Sequence, residues 1–242
     1  MLNKNKNIIY FEKPYKTWVV DNFLNTSTLE NIKKEWPPSD DSDWHGGHEY
    51  IGDKINILEQ GMLSYDIKDT TGYLNNFLES LHSVDFTKQI STITGIENLI
   101  PDVSKRWSGI RVMKPGSFQA IHSDARLNPE SGLTKTLTCL IYFNDNWLPE
   151  HNGYLELWDD SVQECVQKIQ PLNNRLVIFL NTKTSYHGVP KVDSNRKSIT
   201  WSILKKDSNE TRTKALFVSR PQDDKQITEL GKQRALINDA HK

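Results

Sequence analysis

Cysteine is nearly absent: Cys139 and Cys165 are the only two in 242 residues. One possible pair cannot form a disulfide framework, so an apolar core must hold the fold. Cys139, inside the apolar run TLTCLIYF, reads as a small buried thiol. No apolar run approaches the roughly 20 residues of a membrane span. The lysine-bearing start MLNKNKNIIYFEKPYK leads into no apolar segment of the signal-peptide kind. Charge of one sign is also missing. With 30 Lys and Arg against 31 Asp and Glu, the net charge is −1, and no basic stripe offers itself to nucleic acid or an anionic membrane. Internal repeats and low-complexity tracts are not found either. These absences point away from secreted disulfide scaffolds, membrane proteins and nucleic-acid binders, and toward a protein of the reducing cytoplasm.

What is present is the composition of a globular domain, 36% hydrophobic and 25% charged. Residues 16–24, KTWVVDNFL, predict a short strand running into a turn. A helix follows, with Ser27 and Glu30 at capping-box spacing, Leu29, Ile32 and Trp36 on one face, and Pro37-Pro38 as its stop. Residues 39–52 read as a polar loop carrying His45 and His48. A second helix is predicted over 70–82, with Tyr73, Leu74, Phe77, Leu78 and Leu81 on one side. A third runs near 86–94 and ends at Gly95. From Trp107 the texture changes to short runs rich in Val, Ile, Thr and aromatics, separated by turn residues: GIRVMKPG, FQAIHSD, TLTCLIYFN, GYLELWD, VQKIQP, RLVIFLN and SITWSIL. That spacing predicts a β-sandwich or barrel. After Lys206 the chain is strongly charged, and DDKQITELGKQRALIND predicts a solvated surface helix. The expected organisation is an N-terminal strand and helices over 1–100 packing on a β-core at 101–206, with a charged extension at 207–242. The fold class is mainly β with N-terminal helices.

The chemistry concentrates in GIRVMKPGSFQAIHSD. In an extended strand alternate side chains share a face, so His122 and Asp124 point the same way, an imidazole beside a carboxylate. A distant third ligand is offered by RLVIFLNTKTSYHGVP, where a buried-looking strand and a turn lead to His187. Two histidines and one carboxylate with open positions opposite form the facial triad of non-haem Fe(II) oxygenases. Nine residues on, at the start of the next strand, stands Arg196, whose fork matches a carboxylate bidentately.

These motifs, HSD, TCLIYFNDNW, GYLELWD, RLVIFLNTKTSYHGVP and RKSITWSI, resemble the catalytic core of the 2-oxoglutarate- and Fe(II)-dependent oxygenases of the prolyl 4-hydroxylase type. The resemblance covers about 95–206, with PYKTWVVDNFL…EWPPSDDSDWH resembling bacterial members. It implies a double-stranded β-helix, or jelly roll, with the metal in its mouth. It implies His122, Asp124 and His187 as catalytic iron ligands, and Arg196 and Tyr142 at the far carboxylate of 2-oxoglutarate, with Thr200 adding a hydroxyl. Lys197 is the adjacent, less well spaced alternative to Arg196. Fe(II), 2-oxoglutarate and O2 are the implied cofactors, with ascorbate as a further candidate. Retention of Asp124 implies hydroxylation rather than halogenation. The expected substrate is a small molecule or peptide: peptidyl or free proline, a sugar, or another metabolite. Arg111, Arg126, Asn128 and Trp158, together with Trp147, are the residues expected near it. No nucleic acid or membrane partner is expected, and the chain is expected to be a monomer or homodimer. Two departures stand out. Lys114 replaces a tyrosine found in animal prolyl hydroxylases that act on a transcription-factor degron, and Asn152-Gly153 replaces a Gly-Gly. The alternative reading is a non-redox, cupin-like metal-binding or sugar-modifying jelly roll, which needs no Arg196.

Overall fold

The computed structural model describes residues 1–46, 59–207, 209–223 and 228–229. Thirteen strands and three helices are found among them. The strands are β1 (Asn7–Phe11), β2 (Thr17–Asp21), β3 (His45–Gly46), β4 (Glu59–Tyr65), β5 (Ile100–Pro101), β6 (Gly109–Ser123), β7 (Thr134–Tyr142), β8 (Leu155–Trp158), β9 (Cys165–Ile169), β10 (Leu176–Leu180), β11 (His187–Val189), β12 (Arg196–Lys205) and β13 (Leu216–Phe217). The helices are α1 (Thr26–Lys34), α2 (Gly72–Leu81) and α3 (Val84–Thr94).

One antiparallel ladder links the strands in the order β1-β2-β10-β7-β12-β6-β11-β8-β9. The sheet curls back on itself, so that Val177 and Phe179 of one layer pack with Leu155, Leu157 and Ile169 of the other. This is the double-stranded β-helix. The long strand β6 serves both layers. Its first half pairs with β12, from Met113 opposite Arg196 to Gly109 opposite Thr200, and its second half pairs with β11, with His122 opposite His187. Between the halves, Pro115-Gly116 bulges away from β4, whose register jumps from Gln60↔Phe118 to Met62↔Met113. Gly116 adopts φ +89 there, a conformation that a Cβ disfavours. The sequence divides at this point, but the ladder does not.

Strand alternation sorts side chains between core and cavity. On β7, Leu137, Cys139 and Ile141 join the core beneath the helices, while Thr138 and Leu140 face the cavity. On β12, Ile199, Trp201 and Ile203 take the core side, and Arg196, Ser198 and Thr200 the cavity side. Burial pushes the Cys139 thiol far above its usual range, as its apolar setting requires.

The helices cover the core side of this layer. The first begins two residues earlier than Ser27 suggests: Asn25 is the cap, its side chain accepting from the Thr28 N–H at 2.9 Å. Asparagine caps as well as serine, and this phase buries Thr28, Leu29 and Ile32 together. α2 has no side-chain cap of its own. Glu35, just past α1, accepts from the Leu74 N–H at 2.8 Å instead, which links the two helices. Leu74, Phe77, Leu78 and Leu81 are buried, each contributing on the order of 1.5–3 kcal/mol. Tyr73 differs from expectation: its ring stays 37% exposed while its hydroxyl donates to Thr28. α3 is capped by Ser83 and ends on Gly95 in the left-handed conformation.

At the N-terminus, β1 and β2 are strands of the same sheet as residues 134–205, β2 pairing with β10. No described helix is long and apolar enough to cross a membrane. The predicted helix in the run from Asp223 lies outside the described residues, apart from Asp223, Thr228 and Glu229. His48 lies outside them as well. His45 sits in β3, exposed, 3.2 Å from Asp66.

Candidate metal and 2-oxoglutarate site

β6 carries His122 near its end, with Asp124 just past it, and β11 places His187 directly opposite His122. The imidazole centroids are 4.3 Å apart. Among the described residues, His122, Asp124 and His187 are the one His/Cys/Asp/Glu group whose ligand atoms cluster, all within 4.8 Å of one another. Nδ1 of His122 lies 3.0 Å from the Ala120 carbonyl and Nδ1 of His187 2.9 Å from the Ser185 carbonyl. A carbonyl only accepts, so in the neutral rings both Nδ1 atoms donate and both Nε2 lone pairs are left free. Those Nε2 atoms lie 3.5 and 3.8 Å from Oδ1 of Asp124.

The other carboxylate oxygen is taken. Oδ2 of Asp124 accepts from Lys135 Nζ at 3.0 Å, Thr138 Oγ1 at 2.9 Å and Asn181 Nδ2 at 3.0 Å. Three donors on one oxygen leave Oδ1 to face the two Nε2 atoms. This donor set suits a divalent first-row metal such as Fe(II). Burial alone would raise the Asp124 carboxyl, but Lys135 and the two imidazoles outweigh it and hold it well below the usual carboxylate range. Lys135 is itself only 4% exposed and lies over the Trp107 ring, 4.6 Å from its centroid. Lys135→Met is expected to weaken Mn(II) binding by roughly 10- to 100-fold, the usual cost of losing a partner behind a metal ligand. Equilibrium dialysis of the metal-free protein measures it, and unchanged affinity would contradict the role.

His187 is pushed down to about 4 by burial and by neighbouring His122, against the pull of Asp124. The folded value thus lies below the unfolded one of about 6.5. Between those values the unfolded chain takes up a proton that the folded chain refuses. Stability of the metal-free protein should therefore fall as pH drops from 6.5 toward 4, by roughly 3 kcal/mol from this residue. Denaturant titrations of wild type and His187→Gln across that window test this. The wild-type loss should exceed the variant's, and parallel curves would count against it.

The cavity beside the triad, about 250 Å³, is lined by Arg196, Ser198 and Thr200 along β12, and by Leu140, Leu155 and Val189. Arg196 is 3% exposed. Its Nε donates to the Gly153 carbonyl at 2.8 Å and its Nη2 to the Tyr142 hydroxyl at 3.1 Å. Burial lowers its pKa, opposed by Tyr142. No carboxylate among the described residues pairs with it. A buried guanidinium without a counter-ion costs several kcal/mol, and an incoming carboxylate would offset that cost. Gly153 adopts φ +61, and a Cβ there would lie 2.7 Å from Val192 and 3.4 Å from Arg196 Cδ. The glycine thus lets its carbonyl steer the arginine, and Asn152 before it takes φ +52, so the Asn-Gly turn keeps a left-handed bend.

The sequence-predicted substrate residues are placed unevenly. Arg111 lines the cavity and the wider groove beside it, which also includes His45, Ser64 and Lys105. The structure puts Arg126, Asn128 and Trp158 elsewhere. Arg126 is paired with buried Glu210 at 2.9 Å. Asn128 is fully buried, its amide donating to Asp102 and Ser104 and its carbonyl accepting the Glu130 N–H, so it builds a turn. Trp158 packs with Ile121 and Val162. Trp147 is buried against Gly153. Lys114 is exposed, on a groove with Trp36 and Trp44 on the sheet's other face, and Lys197 likewise lies over Trp36. Sequence reasoning missed Lys135, Asn181 and Phe217. The last had a signal, the apolar run Ala215–Val218 within the charged tail.

Residues 108–203 match the family model of the 2OG-Fe(II) oxygenase superfamily. This segment is similar to a 2OG-Fe(II) oxygenase core. It contains the triad, Tyr142 and Arg196. Solved structures share the fold of this chain. A Pseudomonas putida prolyl-4-hydroxylase is 16% identical, with TM-score 0.55, over 79% of this chain and 93% of its own. A Trichoplax adhaerens prolyl hydroxylase, solved with a hypoxia inducible factor oxygen degradation domain peptide, is 19% identical, with TM-score 0.55, over 78% and 83%. A Burkholderia pseudomallei 2OG-Fe(II) oxygenase-family oxidoreductase is 13% identical, with TM-score 0.55, over 82% and 87%. The chain thus shares its architecture with prolyl hydroxylases.

Proposed function

We propose that this protein is a dioxygenase that hydroxylates an unactivated C–H bond, with His122 Nε2, Asp124 Oδ1 and His187 Nε2 holding Fe(II). Bound iron supplies the activation of O2 that couples decarboxylation of 2-oxoglutarate, to succinate and CO2, to insertion of oxygen into the substrate C–H bond. Arg196 grips the distal carboxylate of 2-oxoglutarate, steadied by Tyr142 and the Gly153 carbonyl, with Ser198 and Thr200 on the same strand face. Lys135, Thr138 and Asn181 fix Asp124 so that it offers one oxygen. Leu140, Leu155 and Val189 exclude water around the cosubstrate chain, and Met62 and Arg111 line both this cavity and the wider groove beside it.

The observation that carries the reading is the desolvated, carboxylate-free guanidinium of Arg196 in the same cavity as the triad. A non-redox cupin-like site has no use for it. The substrate is a peptidyl or free proline, or a sugar or other small metabolite. The wider groove continuing from the mouth through Met62, Arg106 and Arg111 favours a ligand longer than a free amino acid. Succinate release, screened against proline peptides, free amino acids and nucleotide sugars, tests it. Stimulation by one class over the uncoupled background is the expected result. No succinate with any of them, and none uncoupled, would contradict oxygenase activity.

A further inference from the structure

The oxygenase match ends at residue 203, yet the chain beyond it returns to the metal ligands. Glu210, 6% exposed, pairs with Arg126. The Arg212 carbonyl accepts the N–H groups of Arg126 and Leu127, each at 2.8 Å, and Arg212 Nη2 donates to the Asp124 carbonyl at 2.7 Å. β13 then pairs with the ligand-bearing end of β6, Leu216 opposite Ser123 and Phe217 opposite His122. The Val218 N–H donates to the Ile121 carbonyl at 2.9 Å. Arg220 closes the segment on buried Glu156 of β8 at 2.5 Å. Glu210, Arg212 and Arg220 are therefore tethers, and the apolar run 215–218 is a pad.

Phe217 is 1% exposed and lies against the His122 ring, centroids 4.9 Å apart and planes at 24°. His187 has a matching neighbour in Phe179 at 4.7 Å, but Phe179 belongs to the sheet core. A histidine tied only at Nδ1 can still rock about its Cβ–Cγ bond, where the torsional wells are broad. A flat ring on its face removes that freedom. Ala215 and Phe217 also close one wall of the cavity.

We infer that residues 210–220 form a strap that holds the metal site in register, with Phe217 as the positioning residue for His122. This rests on the metal reading above. An aromatic clamp on a ligand should act on metal affinity as other supports behind ligands do, at about tenfold or more.

The test is Mn(II) binding to the full-length metal-free protein without cosubstrate, followed by the electron paramagnetic resonance of free Mn(II). Phe217→Ala should bind about tenfold more weakly, and Phe217→Leu, which refills the space, should recover most of the loss. The double variant Glu156→Gln/Arg220→Gln frees the strap without touching His122. It should also bind more weakly, and the Val218 amide should lose hydrogen-exchange protection. Ile32→Ala, in the helix-covered core, should lose stability but keep wild-type affinity. Wild-type affinity in both Phe217→Ala and the double variant overturns the strap. Equal weakening in Ile32→Ala overturns it too, by making the effect one of general stability. A wild-type protein that binds no Mn(II) sinks the metal reading and takes the strap with it.

Discussion

Asp124→Ala is expected to eliminate succinate formation and to remove high-affinity Mn(II) binding. The substitution deletes one of the three ligand atoms, and it also strands the groups that hold the carboxylate. Lys135, Thr138 and Asn181 all donate to Oδ2, and Lys135 is left as a buried cation facing two imidazoles. Breaking a buried pair from one side typically costs about 3–5 kcal/mol, so the variant should also unfold more easily. Adding Lys135→Met to Asp124→Ala removes the stranded charge. The double variant should regain much of the stability and none of the turnover. That split separates loss of a ligand from loss of fold, and wild-type-like succinate release from Asp124→Ala would exclude the assignment.

Arg196→Met should have the opposite signature. It removes a desolvated cation whose partners, the Gly153 carbonyl, the Tyr142 hydroxyl and the Met113 sulfur, carry no charge, so the protein without cosubstrate should be at least as stable as wild type. Its half-saturation for 2-oxoglutarate should rise by about 2–4 kcal/mol, roughly 30- to 1000-fold, because the distal carboxylate loses its counter-ion. Thermal shift with and without 2-oxoglutarate, alongside succinate release over a range of cosubstrate, reads both. Unchanged half-saturation would place the cosubstrate elsewhere.

Much of the site was legible because it is carried by local geometry. His-x-Asp on a strand shares a face by the period of two, and the strand beginning Arg196-Lys-Ser-Ile-Thr puts Arg196, Ser198 and Thr200 on one face by the same rule. The layered architecture followed from short β-branched runs between turns. Three kinds of information were not local. The cap of α1 was misplaced because Asn25 and Ser27 are chemically near-equivalent acceptors, and burial of Leu29 and Ile32 chose between them. Asn128, Arg126 and Trp158 lie close in sequence or strand order to the ligands, but their partners, Asp102, Glu210 and Ile121, come from segments whose approach no periodicity encodes. Lys135 and Asn181 meet at Asp124 only because β7 and β10 are neighbours in the sheet. The strap is the extreme case: nothing local in the sequence shows that Glu210, Arg212 and Arg220 reach Arg126, the Asp124 carbonyl and Glu156.

A crystal structure with Mn(II) and the 2-oxoglutarate mimic N-oxalylglycine tests the central claim most directly. The account predicts one metal ion bonded to His122 Nε2, Asp124 Oδ1 and His187 Nε2, with the distal carboxylate of the mimic on the Arg196 guanidinium. A metal bound away from those atoms, or a mimic whose distal carboxylate avoids Arg196, would contradict it.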